Sequence, residues 1–409
     1  MPVAVELDGL IAKYIRGPLP VHLTAWDGST TGPDDAPHVV VRSPDALRRV
    51  LWHPGELGLA QAYVTGELDV LDDLDVTLRY IRRVAEERGL HEIRPRPRLL
   101  WDLLRFSRRF RILGRPPAPP ATQARVRGRL HSRLRDRAVI SHHYDLSNDF
   151  YQLILDDHMA YSSGRWRSDD PSFDLHDAQT DKLDAICRKI GLHERPGQRL
   201  LDVGCGWGSL SLYAAQHHNA QVVGVTLSAE QKSFVDTRIA ERGLDDRVEI
   251  RVQDYRDLDD PPFDAVASVE MGEHVGAENY PAYARVLHDA LVPGGRLCIQ
   301  QMSRPAGKHP GGGPFIEAFI APDMHMRPVE ETAAALAATG MEILDIDPMR
   351  EDYVRTVDGW YANFEKNFDE IVGVVGEETA RVWRLYLLGG RLAFDEGRMG
   401  VDQITARRV

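Results

Sequence analysis

The stretch that leaves this chain the fewest options is Leu200-Leu201-Asp202-Val203-Gly204-Cys205-Gly206-Trp207-Gly208-Ser209-Leu210. An apolar run closes on Asp202, glycines take alternate positions, and Leu210, Leu212, Tyr213 and Ala214 begin a helical pattern. That order predicts a buried strand, a tight turn and a helix N-terminus. Glycine has no Cβ, so such a turn lets the backbone approach a ligand closely. Alone, the motif suits many nucleotide-like ligands.

The following strands narrow the choice. Residues 220–226 end without the Asp or Glu that dinucleotide folds set on a ribose, and Thr226 and Gln231 offer neutral hydrogen-bonding groups instead. Residues 248–252 run into Gln253-Asp254-Tyr255, where a carboxylate would accept from an adenine amino group and a ring would stack on the base. Glycine turn, ribose position and adenine position in this order resemble the class I S-adenosylmethionine (SAM) methyltransferases. The resemblance implies an α/β Rossmann-like sheet with helices on both faces. A fourth strand, 263–269, leads into Glu270-Met271-Gly272-Glu273-His274-Val275-Gly276, at the sheet end where open α/β folds bind ligands. One helical turn would aim both Glu270 and Glu273 at the same cavity, to hold a cation or pass a proton. The plainer alternative is one capping and one solvated carboxylate. Residues 291–295 turn into a fifth strand, 296–300. The Phe- and Met-rich segment 315–326 reads either as a lid over an apolar cavity or as ordinary core.

A chain of 409 residues is long enough for two domains. The expected division is a small α+β module over 1–90, an arginine-rich helix and proline-rich linker over 91–137, and the methyltransferase-like domain over 138–409. In the module, residues 21–26 and 38–42 read as strands around an Asp27-Gly28 turn, 44–51 as a helix capped by Asp45, and Asp73 to about Arg88 as another helix. Nothing there looks catalytic; it suits binding or assembly, including a homodimer. The net charge of −12 argues against a nucleic-acid partner, yet Arg94 to Arg137 holds fourteen arginines against Asp102 and Asp136, a local +12. That asymmetry points to an anionic membrane surface, or to a solvated linker balancing acidic neighbours. Leu99, Leu100, Leu103, Leu104, Phe106, Phe110 and Leu113, bordered by arginines, predict an amphipathic helix that lies either in a membrane interface or on the first domain. Three cysteines show neither disulfide nor metal spacing, and no metal is expected, the His142-His143-Asp145 group being a weak candidate. No signal segment or apolar run of about 18 residues appears, so a cytoplasmic protein, peripheral on the inner membrane face, is expected.

Five motifs carry a closer resemblance: Tyr144-Asp145 with Asn148-Asp149-Phe150, Tyr161-Ser162, the 201–208 turn, Val223-Gly224-Val225-Thr226-Leu227-Ser228 with Gln231, and Glu273-His274-Val275-Gly276. Together, across roughly 138 to 400, they resemble the cyclopropane-fatty-acid synthase family. The resemblance implies SAM as methyl donor and the cis double bond of an unsaturated acyl chain, usually in a phospholipid, as acceptor. By position, Tyr161, Ser162, Asp202, Gly204, Cys205, Gly206, Gly208, Thr226, Gln231, Asp254, Tyr255 and Arg256 would hold SAM, and Glu273 and Tyr353 would stand at the reacting centre. The chain also departs from the family. Typical members place a Cys after the Tyr-Ser pair and a His at the end of the fifth strand, and both help bind a bicarbonate that accepts the proton; here Ser163 and Gln300 stand there, and Gly390 replaces a late Cys. Bicarbonate binding, and with it ring closure, is therefore not carried over. An alkene methylated by a sulfonium leaves a carbocation on the chain. Proton loss from the new methyl closes a cyclopropane; a hydride shift before that loss gives an exocyclic methylene instead. An altered base site, with Glu270 or Glu273 as base, favours the methylene, which a downstream reductase would convert to a methyl branch. The rivals are a cyclopropane product, a small-molecule N- or O-methyltransferase, and a lipid-binding scaffold with a vestigial cofactor fold.

Overall fold

The structure, a computed structural model, describes residues 2–90, 97–110, 112–124, 135 and 147–409. Tyr144, Asp145, His142, His143 and most arginines of the basic segment lie outside the described residues. The chain divides into two compact units, Met1–Gln123 with Glu377–Leu385, and Ala124–Gly376 with Tyr386–Val409.

In the first unit, α1 (Val3–Ile11) buries Val3, Ala4, Leu7 and Leu10, a one-sided helical spacing. The strands are β1 (His22–Thr24), β2 (Thr30–Thr31), β3 (His38–Val41) and β4 (Leu68–Val70), in sheet order β2-β1-β3-β4. The Asp27-Gly28 turn therefore joins β1 to β2, not to β3; β3 lies parallel to β1. The sequence reading missed β2 because two threonines are too short to show alternation. Helix α2 (Pro44–Trp52) is capped by Ser43, whose side chain accepts from the Asp45 N–H; Pro44 at the first helical position moves the cap back from Asp45. Helices α3 (Glu56–Val64), α4 (Leu74–Glu87, capped by Asp73) and α5 (Pro97–Arg109) complete the unit. Helix α5 packs on the first unit and also leaves apolar surface exposed. Phe106 and the following Phe110 pack into the core formed by α1 and the sheet, whereas Trp101 is 71 % exposed, Leu104 is 39 % exposed, and Arg105 and Arg108 reach solvent.

The second unit begins with α6 (Asn148–Gln152), whose cap is Ser147, and α7 (Leu175–Lys189), which opens on a reciprocal Asp174–Asp177 capping box. The core motif folds as the sequence predicts: β5 (Arg199–Val203), the glycine turn, then α8 (Ser209–His218). There follow β6 (Gln221–Thr226), α9 (Ala229–Arg242), β7 (Val248–Val252), β8 (Phe263–Val269), α10 (Tyr280–Asp289) and β9 (Leu291–Ser303). Beyond them come α11 (Pro314–Phe319), α12 (Val329–Ala337), β10 (Met341–Pro348), α13 (Arg350–Lys366), α14 (Phe368–Val375), α15 (Glu377–Asp395, its residues to Leu385 belonging to the first unit) and β11 (Gly400–Arg408). The seven strands lie in the order β10-β11-β9-β8-β5-β6-β7; β9 through β7 run parallel, and β11 is antiparallel to both of its neighbours. The predicted 291–295 turn is instead a bulge within β9, since Phe263 pairs with Leu291 and Ala265 already with Arg296.

Alternation along the strands builds two cores. Leu200, Val222, Ala265 and Cys298 face α7, α8 and α9, while Leu201, Val225, Val266 and Ile299 face α10 and α12. Helices therefore cover both faces, as parallel sheets require. All three cysteines are buried thiols. No helix among the described residues is long and apolar enough to cross a membrane.

Candidate active site

A cleft opens at the C-terminal ends of β5, β6, β7 and β8, with an empty volume of about 1210 Å³ including its solvent-facing mouth. Its floor is the glycine turn. Gly204 has φ +79°, and a Cβ there would lie 2.8 Å from Met271 Cγ, so only glycine leaves this stretch of backbone bare. Gly206 also lines the cleft, whereas Gly208 faces away from it and packs on Val235. Asp202 is buried, accepts from Ser211 Oγ at 2.7 Å, and is pushed up to about 6 by burial.

The ribose and adenine positions converge on the same cleft. Thr226 Oγ1 donates to Gln231 Oε1 at 2.7 Å, and the Ser228 cap of α9 fixes where Gln231 begins its turn. Gln253, Asp254, Tyr255 and Arg256 form the adjoining wall. The Asp254 carboxylate is engaged by Arg256, through Nε at 2.8 Å and a second guanidinium nitrogen at 2.6 Å. Tyr161, Ser162, Cys205 and Glu270 also line the cleft.

The other predicted residues gather around Glu270. Its backbone has φ +50°, a left-handed conformation unusual for a residue with a side chain. Oε1 accepts from the Ser163 N–H at 2.8 Å and from Gln300 Nε2 at 2.8 Å; Oε2 accepts from Tyr353 Oη at 2.7 Å. The orientation of Gln300 is set from behind, because its Oε1 accepts from Gln403 Nε2 at 3.0 Å and Lys189 in turn donates to Gln403 Oε1 at 2.8 Å. The side-chain amide thus keeps its N–H groups toward Glu270 and toward Ser163 O, 3.2 Å away. Burial raises the Glu270 carboxyl above its ordinary range while these donors oppose the rise.

Glu273 differs sharply. It is 1 % exposed, no side-chain donor among the described residues meets its carboxyl oxygens, and it is absent from the cleft wall. Burial first, then the neighbouring Glu270, push its carboxyl well above the usual range. The two carboxyls thus sit in different environments: three donors oppose the rise at Glu270, whereas burial and the neighbouring carboxyl act together at Glu273.

Behind Tyr353 stands an aromatic cluster. Tyr353 meets Trp360 edge-on at 5.9 Å, Trp360 meets Tyr161 at 5.2 Å, and Tyr161 Oη donates to Tyr386 Oη at 2.9 Å. Phe315, Phe319 and Met326 of the proposed lid are buried. Sequence reading missed two residues of the wall. Trp207 looked like part of the turn but lines the cleft, its Nε1 donating to Asn148 Oδ1 at 2.8 Å. Lys182 was detectable, since it falls on the buried face of α7 between Ala178 and Ile186. Outside the cleft, Asp156, His158 and His176 come together, but Asp156 already accepts from the His158 and Ala160 N–H groups and His158 already bonds Thr180.

A family profile described as mycolic acid cyclopropane synthetase matches residues 131–404. A probable fatty acid methyltransferase of Mycobacterium tuberculosis is 36 % identical over 408 residues, covering 96 % of this chain and 92 % of that one. A cyclopropane-fatty-acyl-phospholipid synthase of Escherichia coli is 35 % identical over 347 residues, covering 85 % and 81 %. Among solved structures, a mycolic acid cyclopropane synthase complexed with SAH and CTAB superposes with a TM-score of 0.62 at 29 % identity, covering 66 % of this chain and 98 % of that one.

Proposed function

Because the chain belongs to the mycolic acid cyclopropane synthetase family and is a SAM-dependent methyltransferase of fatty-acid modification, we propose that it methylates the cis double bond of an unsaturated acyl chain in a phospholipid, with a 10-methylene chain as product and Glu270 as the base. The observation that supports this reading is the grip on Glu270. The two positions where the family resemblance would put bicarbonate ligands, Ser163 and Gln300, both donate to the Glu270 carboxylate. In this reading a carboxylate of the chain itself takes the part of a diffusible base.

When bound, SAM supplies an electrophilic methyl group, which the alkene takes up to leave a carbocation on the acyl chain. The residues present fit that cofactor: a bare glycine turn, neutral groups at Thr226 and Gln231, and an aromatic wall at Tyr255. Ionised Glu270 lies at the end of β8 and steadies positive charge on the chain. Both of its oxygens are engaged by donors, which slows its uptake of a proton from the new methyl. A hydride shift along the chain then precedes proton loss, and the methylene follows. Tyr353 and Gln300 hold the carboxylate in place, and the buried aromatics around Tyr161 and Trp360 keep water from a cation it would quench. A first test is to incubate the protein with SAM and an oleoyl phospholipid. Gain of one CH₂ on the acyl chain supports the assignment; methylation of a headgroup or small amine, with the acyl chain unchanged, contradicts it.

Helix α5 supports a membrane-facing role for the first unit. Trp101 and Leu104 are exposed apolar side chains bordered by exposed Arg105 and Arg108, the composition of an interfacial helix. A basic residue near an anionic leaflet contributes on the order of 1 kcal/mol. Reversing both charges (R105E/R108E) is therefore expected to weaken binding to phosphatidylglycerol vesicles at least about tenfold. Sedimentation with vesicles measures it, and unchanged binding would remove α5 from the membrane contact.

A further inference from the structure

Lys182 has no function in the account so far, although it lines the cleft. It stands on α7 with 1 % of its surface exposed, and its Nζ donates to Ser162 Oγ at 2.7 Å. That hydroxyl is a neutral partner. The three nearest acids are each committed elsewhere: Asp202 to Ser211, Glu270 to Ser163, Gln300 and Tyr353, and Asp156 to the backbone of His158 and Ala160. No carboxylate among the described residues forms an ion pair with Lys182. A buried ammonium without a paired anion is costly, and burial already pulls this one down to about 8. No anion is in direct contact with this ammonium, although Glu270, Asp156 and Asp202 act on it electrostatically.

Sheet order shows where a contacting anion would come from. The nucleoside wall, Thr226, Gln231 and Gln253–Arg256, lies at the ends of β6 and β7, on one side of β5. Lys182 holds Ser162, and the next residue, Ser163, is bonded to Glu270 at the end of β8, on the other side of β5. A cofactor whose adenosine occupies the first side must place its amino-acid arm on the second. The single anionic group of SAM is the carboxylate of that arm. We infer that Lys182 is the carboxylate anchor of the cofactor site, positioned by Ser162, and that it selects ligands carrying the whole methionyl arm over those lacking its carboxylate. This rests on the assignment of SAM to the cleft. Lys182 would act as a positioning residue, setting the angle at which the sulfonium meets the acyl chain.

The test is calorimetric and needs no turnover. The full-length protein is titrated with S-adenosylhomocysteine and with its decarboxylated analogue, S-adenosyl-3-thiopropylamine, for the wild type, Lys182→Met and Lys182→Gln. Loss of a charge-assisted hydrogen bond predicts a fall in affinity for S-adenosylhomocysteine of roughly tenfold to a hundredfold in both variants. Affinity for the decarboxylated analogue should stay within about twofold of wild type, because Lys182 has nothing to bind on it. Two variants guard against a misfolded one, and circular dichroism identifies which retain the fold. Equal losses for both ligands would make Lys182 a merely structural residue, and no loss for either would exclude the contact; both outcomes overturn the inference. A wild-type protein with no affinity for S-adenosylhomocysteine would instead overturn the cofactor assignment beneath it.

Discussion

Replacing Glu270 with glutamine is expected to lower kcat by about a hundred- to ten-thousand-fold while leaving the fold intact, the range over which a positioned general base contributes. An amide cannot take the proton, and it also fits the site poorly. Three donors face this side chain, and an NH₂ group would have to oppose at least one of them. Gln300 cannot turn its carbonyl to help, because Gln403 holds its Oε1. Glu270→Gly makes the sharper variant. The backbone there has φ +50°, which glycine adopts without strain, so folding should not suffer. The deletion leaves the Ser163 N–H, Gln300 Nε2 and Tyr353 Oη around an empty space the size of a small anion. Added bicarbonate or formate should restore turnover to within about tenfold of the parent protein, and failure of rescue in a folded, SAM-binding variant would argue against a base at this position. The pH profile follows from the same site. Burial raises the Glu270 carboxyl above its ordinary 4.5, and the ionised form is the active one. Activity is therefore present above the raised value and lost as pH falls through it, so the acid limb should lie higher than for an exposed glutamate. Glu273→Gln replaces a group that burial pushes toward its neutral form and should retain turnover within about tenfold.

The second large effect concerns the cofactor floor. Gly204→Val puts a β-branched residue at φ +79° with its Cβ 2.8 Å from Met271 Cγ, a contact no rotamer relieves. The left-handed backbone alone costs on the order of 1–3 kcal/mol. The shifted turn then intrudes on the space where the backbone must approach the ligand. Affinity for S-adenosylhomocysteine should fall by at least about a hundredfold, with a lowered melting temperature. Gly208→Val, by contrast, meets Val235 and not the cleft, so it should lower stability without a selective effect on binding.

Much of this site was legible along the chain because its cofactor half is local. Asp202 to Gly206, Thr226 with Gln231, and Asp254 to Arg256 each follow directly on a parallel strand, and strand ends in such sheets share one edge. The reacting half is different. Ser163, Glu270, Gln300 and Tyr353 come from a loop, the end of β8, β9 and α13, and only the sheet order brings them within hydrogen-bonding distance. Spacing suggested that Glu270 and Glu273 share one cavity. The left-handed backbone at Glu270 sends that side chain to the cleft wall, while Glu273 is buried away from it. Lys182 had a signal in its helical spacing, a lysine among apolar positions, but that its hydrogen-bond partner is the neutral Ser162 hydroxyl becomes visible only in the fold. The short strand β2 and the Ser43 cap were lost for local reasons, brevity in one case and the proline at the helix start in the other.

A methylene product depends on a base built into the chain, and one experiment addresses that directly. The purified protein is supplied with SAM and dioleoyl phosphatidylglycerol in buffer stripped of carbon dioxide, and the acyl product is examined by proton NMR. Olefinic protons of an exocyclic methylene, formed at a rate that added bicarbonate does not change, are the predicted result. Upfield cyclopropane protons that appear only when bicarbonate is restored would contradict it.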